Sequence, residues 1–312
     1  MSGTRSLVVG SGGLLGGALV RELTARDRRV HRVAVPWDDS AAVPAVIAEA
    51  VLHLVESGPG SEWSLYWTAG TGVVATGEAE FETEQRVVEA TLAEIERVLP
   101  SGTSGTLFFA SSAGATYAGN PAPPFSEDSE TAPLAPYGRG KLRLEDTFRD
   151  FAASSGHRLL IGRISNLYGP GQNIAKPQGL ISQLAAARLD GRPSNIYVPL
   201  HTVRDYLFVD DAGAMIVDAV DLVEDLEAGS SLLKIFAAQE GVSISGIIAM
   251  LEKVMDRSLD IVSGHDPAAV YQALDLRFRS TQLTQVDARS LTSLEEGVRR
   301  TVAALQTAPR DS

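Results

Sequence analysis

The chain has 312 residues, 44% of them hydrophobic, and a formal net charge of −12. It contains no cysteine, which excludes disulfides, thiol catalysis, thiolate metal sites and iron–sulfur clusters. The acidic balance opposes nucleic-acid and anionic-membrane partners, and no apolar run approaches a signal h-region or the roughly 18 residues of a membrane span, so a cytoplasmic protein is expected.

In chain order, residues 6–9 (SLVV) read as a buried strand running into a glycine-rich turn. Leu14, Leu15, Ala18, Leu19 and Leu23 then recur at helical spacing, and residues 28–37 read as a second strand. Residues 41–57 are helical in period, 63–70 a strand ending in small residues, and 82–99 a helix with Val87, Val88, Thr91, Leu92, Ile95 and Val98 on one stripe. Residues 105–114 are a strand ending in serines, 136–156 a helix and 158–172 a strand. Strands alternating with helices predict an α/β fold with a doubly wound parallel sheet and ligands at the strands' carboxyl ends. Beyond Gly171 the pattern is less regular: a helix over 179–191, a short strand over 195–200, a strand then helix over 204–223 and a strand over 231–238. This predicts a dinucleotide-binding domain over 1–165, with 204–240 returning to it, and a smaller substrate-binding lobe drawn mainly from 166–312.

Gly10, Gly13 and Gly16 stand as G-x-x-G-x-x-G between the first strand and the first helix. Glycines there make the tight turn, admit a pyrophosphate to the backbone and let helix and strand pack closely, while the helix N-terminus offers unpaired N–H groups. Leu14 and Leu15, at the helix start, join them as candidate cofactor contacts. An acid to take the adenosine ribose is expected about 20 residues on. That place reads Ala34-Val35-Pro36-Trp37, with Asp38 and Asp39 slightly late. Arg29 or Arg32 could meet a 2′-phosphate, which tilts an otherwise open choice between NAD and NADP slightly toward NADP.

Tyr137-Gly-Arg-Gly-Lys141 places a phenol and an ammonium one helical turn apart. The ammonium favours phenolate, which can exchange a proton with a substrate hydroxyl. Ser111 and Ser112 end the preceding strand, where a hydroxyl can hold the substrate oxygen.

These segments, with "SSAGATYAGNPAPPFSEDS", "RISNLYGPGQN", "RDYLFVDDAGAMI" and "SLEEGVRRTVAAL", resemble the NAD-dependent epimerase/dehydratase branch of the extended short-chain dehydrogenases over roughly residues 7–301. The resemblance implies a Rossmann-like fold, with Tyr137 as acid/base and Lys141 as its partner, also holding the nicotinamide ribose. It makes Ser112 the catalytic serine, with Ser111 or Thr116 as substitutes, and places Ala69, Gly70 and Ser111 against the cofactor. Asn166 matches a contact to an activated sugar, Arg204 and Arg277 (or Arg279) match diphosphate-binding arginines, and Gly179, Leu180 and Ile181 fall beside the nucleotide base. A homodimer through the helices around 87–99 and 141–151 is also implied.

Three departures stand out. The Gly-Asp-Gly turn before Arg-Asp-Tyr reads Val198-Pro199-Leu200, and the loop that is usually His-x-Ala-Ala reads Trp67-Thr68-Ala69-Gly70. The Thr-Asp-Glu signature of sugar dehydratases is absent around Ser112, which argues against water elimination. The leading expectation is an NAD(P)-dependent nucleotide-sugar epimerase. The alternatives are a reductase of a 4-keto nucleotide-sugar or of a non-sugar carbonyl, and a non-catalytic NAD(P) sensor, against which the intact Ser-Tyr-Lys set speaks. His31, His53, His157, His201 and His265 lack metal-ligand spacing and read as surface or packing residues, so no metal is expected. Asp210-Asp211 reads as a helix N-cap, Glu127, Asp128 and Glu130 as a solvated loop, and Lys176 as a surface lysine.

Overall fold

The computed structural model describes residues 4–58, 62–70, 77–176, 178–264 and 271–307; His265 lies outside them. The chain runs β1 (Arg5–Val9), α1 (Leu14–Ala25), β2 (Arg29–Arg32), α2 (Val43–Glu56), β3 (Trp63–Trp67), α3 (Glu78–Val98) and β4 (Thr106–Ser112). A short α4 (Ala113–Tyr117) precedes α5 (Pro136–Ser155), β5 (Arg158–Ile164), β6 (Asn166–Tyr168), α6 (Leu180–Leu189), β7 (Ser194–Ile196) and β8 (Val203–Phe208). Then come α7 (Val209–Val223), β9 (Ser231–Phe236), β10 (Gly241–Ser243), α8 (Ile244–Met255), β11 (Ile261–Ser263), β12 (Asp275–Leu276), α9 (Thr284–Asp287) and α10 (Leu294–Thr307).

Six strands form a parallel sheet in the order β2-β1-β3-β4-β5-β9. This is a doubly wound order, and its switch point lies between β1 and β3. The middles of the inner strands are mostly apolar because both faces are covered, whereas the edge strand β2 reads RVHR. Leu7, Val9, Leu65, Trp67, Leu107, Phe109, Leu159 and Ile161 face α2, α3 and α5. Their neighbours Val8, Tyr66, Phe108 and Leu160 face α1 and α7. Gly213 of α7 comes so near α1 that a Cβ would stand 3.3 Å from the Ala18 backbone.

The second lobe is built on β8, which pairs with β10, β12 and β6. Helices α6, α8 and α10 pack on it around Leu184, Ile247, Leu251 and Val298. Among the described residues, no helix is long and apolar enough to cross a membrane.

Four sequence expectations change here. The second strand is only four residues long, although Val33 and Val35 beyond it still pack on the core. The run 158–172 is two strands: the N–H of Ser165 gives the last ladder bond to β9, at Phe236 O, after which β6 joins β8 in the other sheet. Asp210 and Asp211 occupy the first turn of α7, not its cap, which is Phe208. There Asp210 pairs with Arg21 and Asp211 accepts from the N–H and hydroxyl of Thr292. Glu127 is not solvated: it accepts from Ile235 N (2.7 Å), Ser280 Oγ (2.7 Å) and Thr281 N (2.8 Å). These bonds hold its carboxylate pKa low against the opposing effect of burial. Asp128 and Glu130 are more open to solvent, as expected.

Candidate active site

The glycine turn packs against the end of β3. Gly10 has φ +90°, a region that glycine adopts without a Cβ penalty. A Cβ there would stand 2.7 Å from Ala69 N, and one on Gly16 only 2.1 Å from Gly10 O. Gly13 donates its N–H to Gly10 O (2.9 Å) and caps α1 with no side chain, leaving the helix's first N–H groups to a ligand. Over Gly12 there is open space within 4 Å. This cradle fits a pyrophosphate: two glycines that no larger residue can replace, an open third, and a positive helix end. Leu15 turns its side chain into the core and offers only backbone, whereas Leu14 is half-buried and faces the loop at Gly171, 4.0 Å from a Cβ placed there.

The loop after β3 leads from this cradle to the lysine. Thr68 donates to Val9 O through both N–H and Oγ1. A Cβ on Gly70 would stand 3.2 Å from both Lys141 Nζ and Glu84 Oε1. Lys141 is buried, 3.8 Å from Glu84, with its ammonium 5.2 Å from the Phe109 ring centroid and 5.9 Å from that of Tyr137. Tyr137 is half-buried and its ring leans on Phe81.

The three candidate hydroxyls differ in how they are engaged. Ser111 is buried and donates to Glu145 Oε1 at 2.6 Å. Thr116 is buried and donates back to Ser112 O at 2.9 Å. Ser112 is half-buried and its Oγ accepts from Ala115 N at 3.3 Å, capping α4, which leaves its proton free to donate. The alternation of a strand explains the split, since neighbouring side chains leave opposite faces.

Two glycines that sequence reasoning passed over bring these parts together. Gly138 lies so close to α4 that a Cβ would stand 2.4 Å from Ala115 O, and one on Gly140 would stand 3.0 Å from the Phe81 ring. Their signal was available: two glycines in the first turns of a helix cost helix stability, which points to close packing. Glu84, Glu145 and Arg163 were also missed, since nothing local marks them.

Asn166 opens β6 opposite Tyr206 on β8, and Arg204 lies two residues before Tyr206, on the same face. Arg204 is buried, donates to Gln272 Oε1 (3.1 Å) and Val203 O (2.9 Å), and has its pKa lowered by burial. Arg277 is exposed and held by Asp275 through contacts of 2.7–3.0 Å. Arg279 is also exposed. Gly179 has φ +86° and precedes α6, whose first residues are Leu180 and Ile181. Arg29 and Arg32 are exposed on β2. Among the described residues, no group of three or more His, Asp or Glu could hold a metal.

Residues 6–232 match the model of the NAD dependent epimerase/dehydratase family. The chain is 29% identical to dTDP-4-dehydro-6-deoxyglucose reductase of Escherichia coli over 161 residues, covering 52% of this chain and about half (49%) of that protein. It is 29% identical to UDP-glucose 4-epimerase of Azospirillum brasilense over 276 residues, 80% of this chain and 77% of that one. Its fold is similar to that of Thermus thermophilus UDP-glucose 4-epimerase, solved as a complex with NAD, with a TM-score of 0.77 at 21% identity over 98% of this chain and 100% of the other.

Proposed function

This chain belongs to the NAD dependent epimerase/dehydratase family, an enzyme family of nucleotide-sugar chemistry, and from that premise we propose that it is a nucleotide-sugar 4-epimerase working through Ser112, Tyr137 and Lys141. The observation that carries the reading is the seating of Gly138 on Ala115, which sets the helix of Tyr137 and Lys141 against the turn that Ser112 caps. The cofactor is NAD. The slight tilt toward NADP drawn from Arg29 and Arg32 gives way to the family's NAD dependence and to the NAD bound in the Thermus relative.

The glycine turn and the start of α1 would hold the pyrophosphate through backbone N–H groups, and Lys141 would hold the nicotinamide ribose. When bound, NAD supplies the group that takes up a hydride from the sugar carbon and returns it. Ser112 donates its free proton to the substrate oxygen and orients it. Tyr137 accepts the hydroxyl proton and later gives it back. Lys141, buried beside Phe109 and the Tyr137 ring, stabilises negative charge on the phenol oxygen as that proton moves. Arg204, presented on the face it shares with Tyr206, takes the diphosphate. No acid pair adjoins Ser112 in the sequence to eliminate water, which favours epimerisation over dehydration.

The test is incubation with UDP- and dTDP-hexoses, with and without NADH, following absorbance of reduced nicotinamide and products by NMR. Interconversion of 4-epimers without net absorbance change is expected. Stoichiometric NADH loss onto a 4-keto sugar, without epimer interconversion, would replace the reading with that of a reductase.

A second reading, oxidoreduction of a non-sugar carbonyl, is favoured by one feature. Arg277 is tied to Asp275, and the Val198-Pro199-Leu200 turn exposes Leu200 where the family places small and acidic residues. Arg204→Ala separates the two. A nucleotide-sugar enzyme loses about 10–100-fold in substrate affinity, the worth of a charge-assisted bond, and little in cofactor affinity. Equal affinities would favour the second reading.

A further inference from the structure

Beneath the catalytic residues lies a buried charged network that the mechanism above does not use. Glu145 is fully buried on α5, one turn beyond Lys141 and two beyond Tyr137. Its Oε1 accepts from Ser111 Oγ (2.6 Å) and Arg163 Nε (2.9 Å), and its Oε2 from Arg163 Nη2 (2.8 Å) and, at 3.3 Å, from Arg149. Arg163, on β5 and 5% exposed, also donates to Tyr117 Oη (2.6 Å), and its guanidinium lies 5.1 Å from that ring's centroid.

Burying two charges costs desolvation, and a well-packed apolar pair of the same volume is often as stable or more so. The retention of this pair therefore calls for a reason other than stability. Its four anchor points supply one. Ser111 neighbours Ser112, Tyr117 belongs to the helix that Ser112 caps, Arg163 stands on β5, and Glu145 shares its helix face with Tyr137 and Lys141. Beyond the glycine seats of its first turns, which hold the start of the helix, the rest of the buried face of α5 is Leu144, Phe148, Phe151 and Ala152, whose packing is non-directional. A bidentate arginine–carboxylate pair is directional and fixes orientation.

We propose that Glu145 and Arg163, with Ser111, are positioning residues that fix the rotation of α5 about its axis and so set Tyr137 and Lys141 against Ser112. This rests on the assignment of those three groups above. The leverage is large: at a side-chain radius of about 6 Å, a rotation of ~10° moves a side-chain atom by ~1 Å, a displacement that can cost ~10²-fold in rate.

The deciding variant is Glu145→Met/Arg163→Met, which removes both charges together and so avoids stranding either one. It is compared with wild type and with Asp150→Ala, an exposed position on the same helix. Three quantities are measured: Tm, NAD affinity by calorimetry, and kcat and KM with UDP-glucose as the probe. The double variant leaves the buried Ser111 hydroxyl and Tyr117 phenol without these partners, so we expect a lowered Tm with the chain still folded at the assay temperature, where kcat falls about 10–100-fold at unchanged KM. NAD binding should weaken about 10-fold through the displaced Lys141, with Asp150→Ala unaffected. Should the double variant fail to fold, Ser111→Ala decides on the same readouts, with a few-fold change expected. A folded variant with wild-type NAD affinity overturns the proposal, as does a fall in kcat that follows the unfolded fraction and is recovered on cooling. If wild type turns over no nucleotide-sugar, the proposed function falls, and the NAD titration still decides the positioning role.

Discussion

At the scale of single residues, Tyr137 is the sharpest point of the proposal. Tyr137→Phe should lower turnover by ~10²–10⁴-fold while NAD still binds, because only the proton-transfer group is lost. A variant with more than half of wild-type activity would remove Tyr137 from the mechanism. His157 makes a different prediction. It is 1% exposed, its Nδ1 accepts from Gly105 N (3.1 Å), and its ring packs on Trp63 and Phe151. Burial pushes its pKa down from 6.5 to about 4. Between those values the unfolded chain binds a proton that the folded chain refuses, so stability falls as pH falls through that window. From pH 7 to 5 the loss approaches about 2 kcal/mol. Denaturant titrations at pH 7 and pH 5 should show a smaller acid loss in His157→Asn than in wild type, and equal losses would rule this histidine out as the source. Residues of this kind divide by what the sequence reveals. Tyr137, Lys141 and the glycines of the turn were legible because their meaning lies in local spacing. Glu127 was misread because its partners lie 108 to 154 residues away, and no window of sequence contains both ends.

At the scale of elements, the helices were legible from their apolar period, and the strands from apolar runs between them. Strand ends were less so. At the sheet edge β2 pairs with β1 alone, over only Arg29–Arg32, and only the three-dimensional pairing shows that β6 leaves one sheet for another. The element most exposed to test is the first turn of α5. Gly138→Ala should force α5 from α4, because the obstacle is backbone, Ala115 O at 2.4 Å, and cannot rotate away. We expect a loss of about 1–3 kcal/mol in stability and of ~10–100-fold in kcat. Full activity with unchanged Tm would mean that the two helices can separate without disturbing the site.

For the molecule as a whole, the homodimer that the resemblance implies would not be built on the apolar stripes of its two helices. The apolar stripes of α3 and α5 (Val88, Leu92, Ile95, Leu144, Phe148) are core within one chain. The outward face of α3 carries Glu82, Arg86, Glu89, Ala90, Ala93 and Arg97. A dimer through this face would be polar, held by charges around small residues, and would weaken as salt screens them. Light scattering at low and high ionic strength should find twice the chain mass falling toward one chain mass, and a salt-resistant dimer would place the interface elsewhere.

The large sheet is not finished when its first five strands are. Its last strand, β9, and the helix α7 that covers one face arrive only after the chain has built part of the other lobe. During synthesis on the ribosome, a nascent chain of 165 residues therefore carries an open β5 edge and a bare patch around Val8, Phe108 and Leu160. Such an edge invites pairing with other chains. Residues 1–165 expressed alone should be insoluble or bind hydrophobic dye, whereas a chain carried through β9 should gain protease resistance. A soluble, NAD-binding 1–165 fragment would show that the early strands need no later partner.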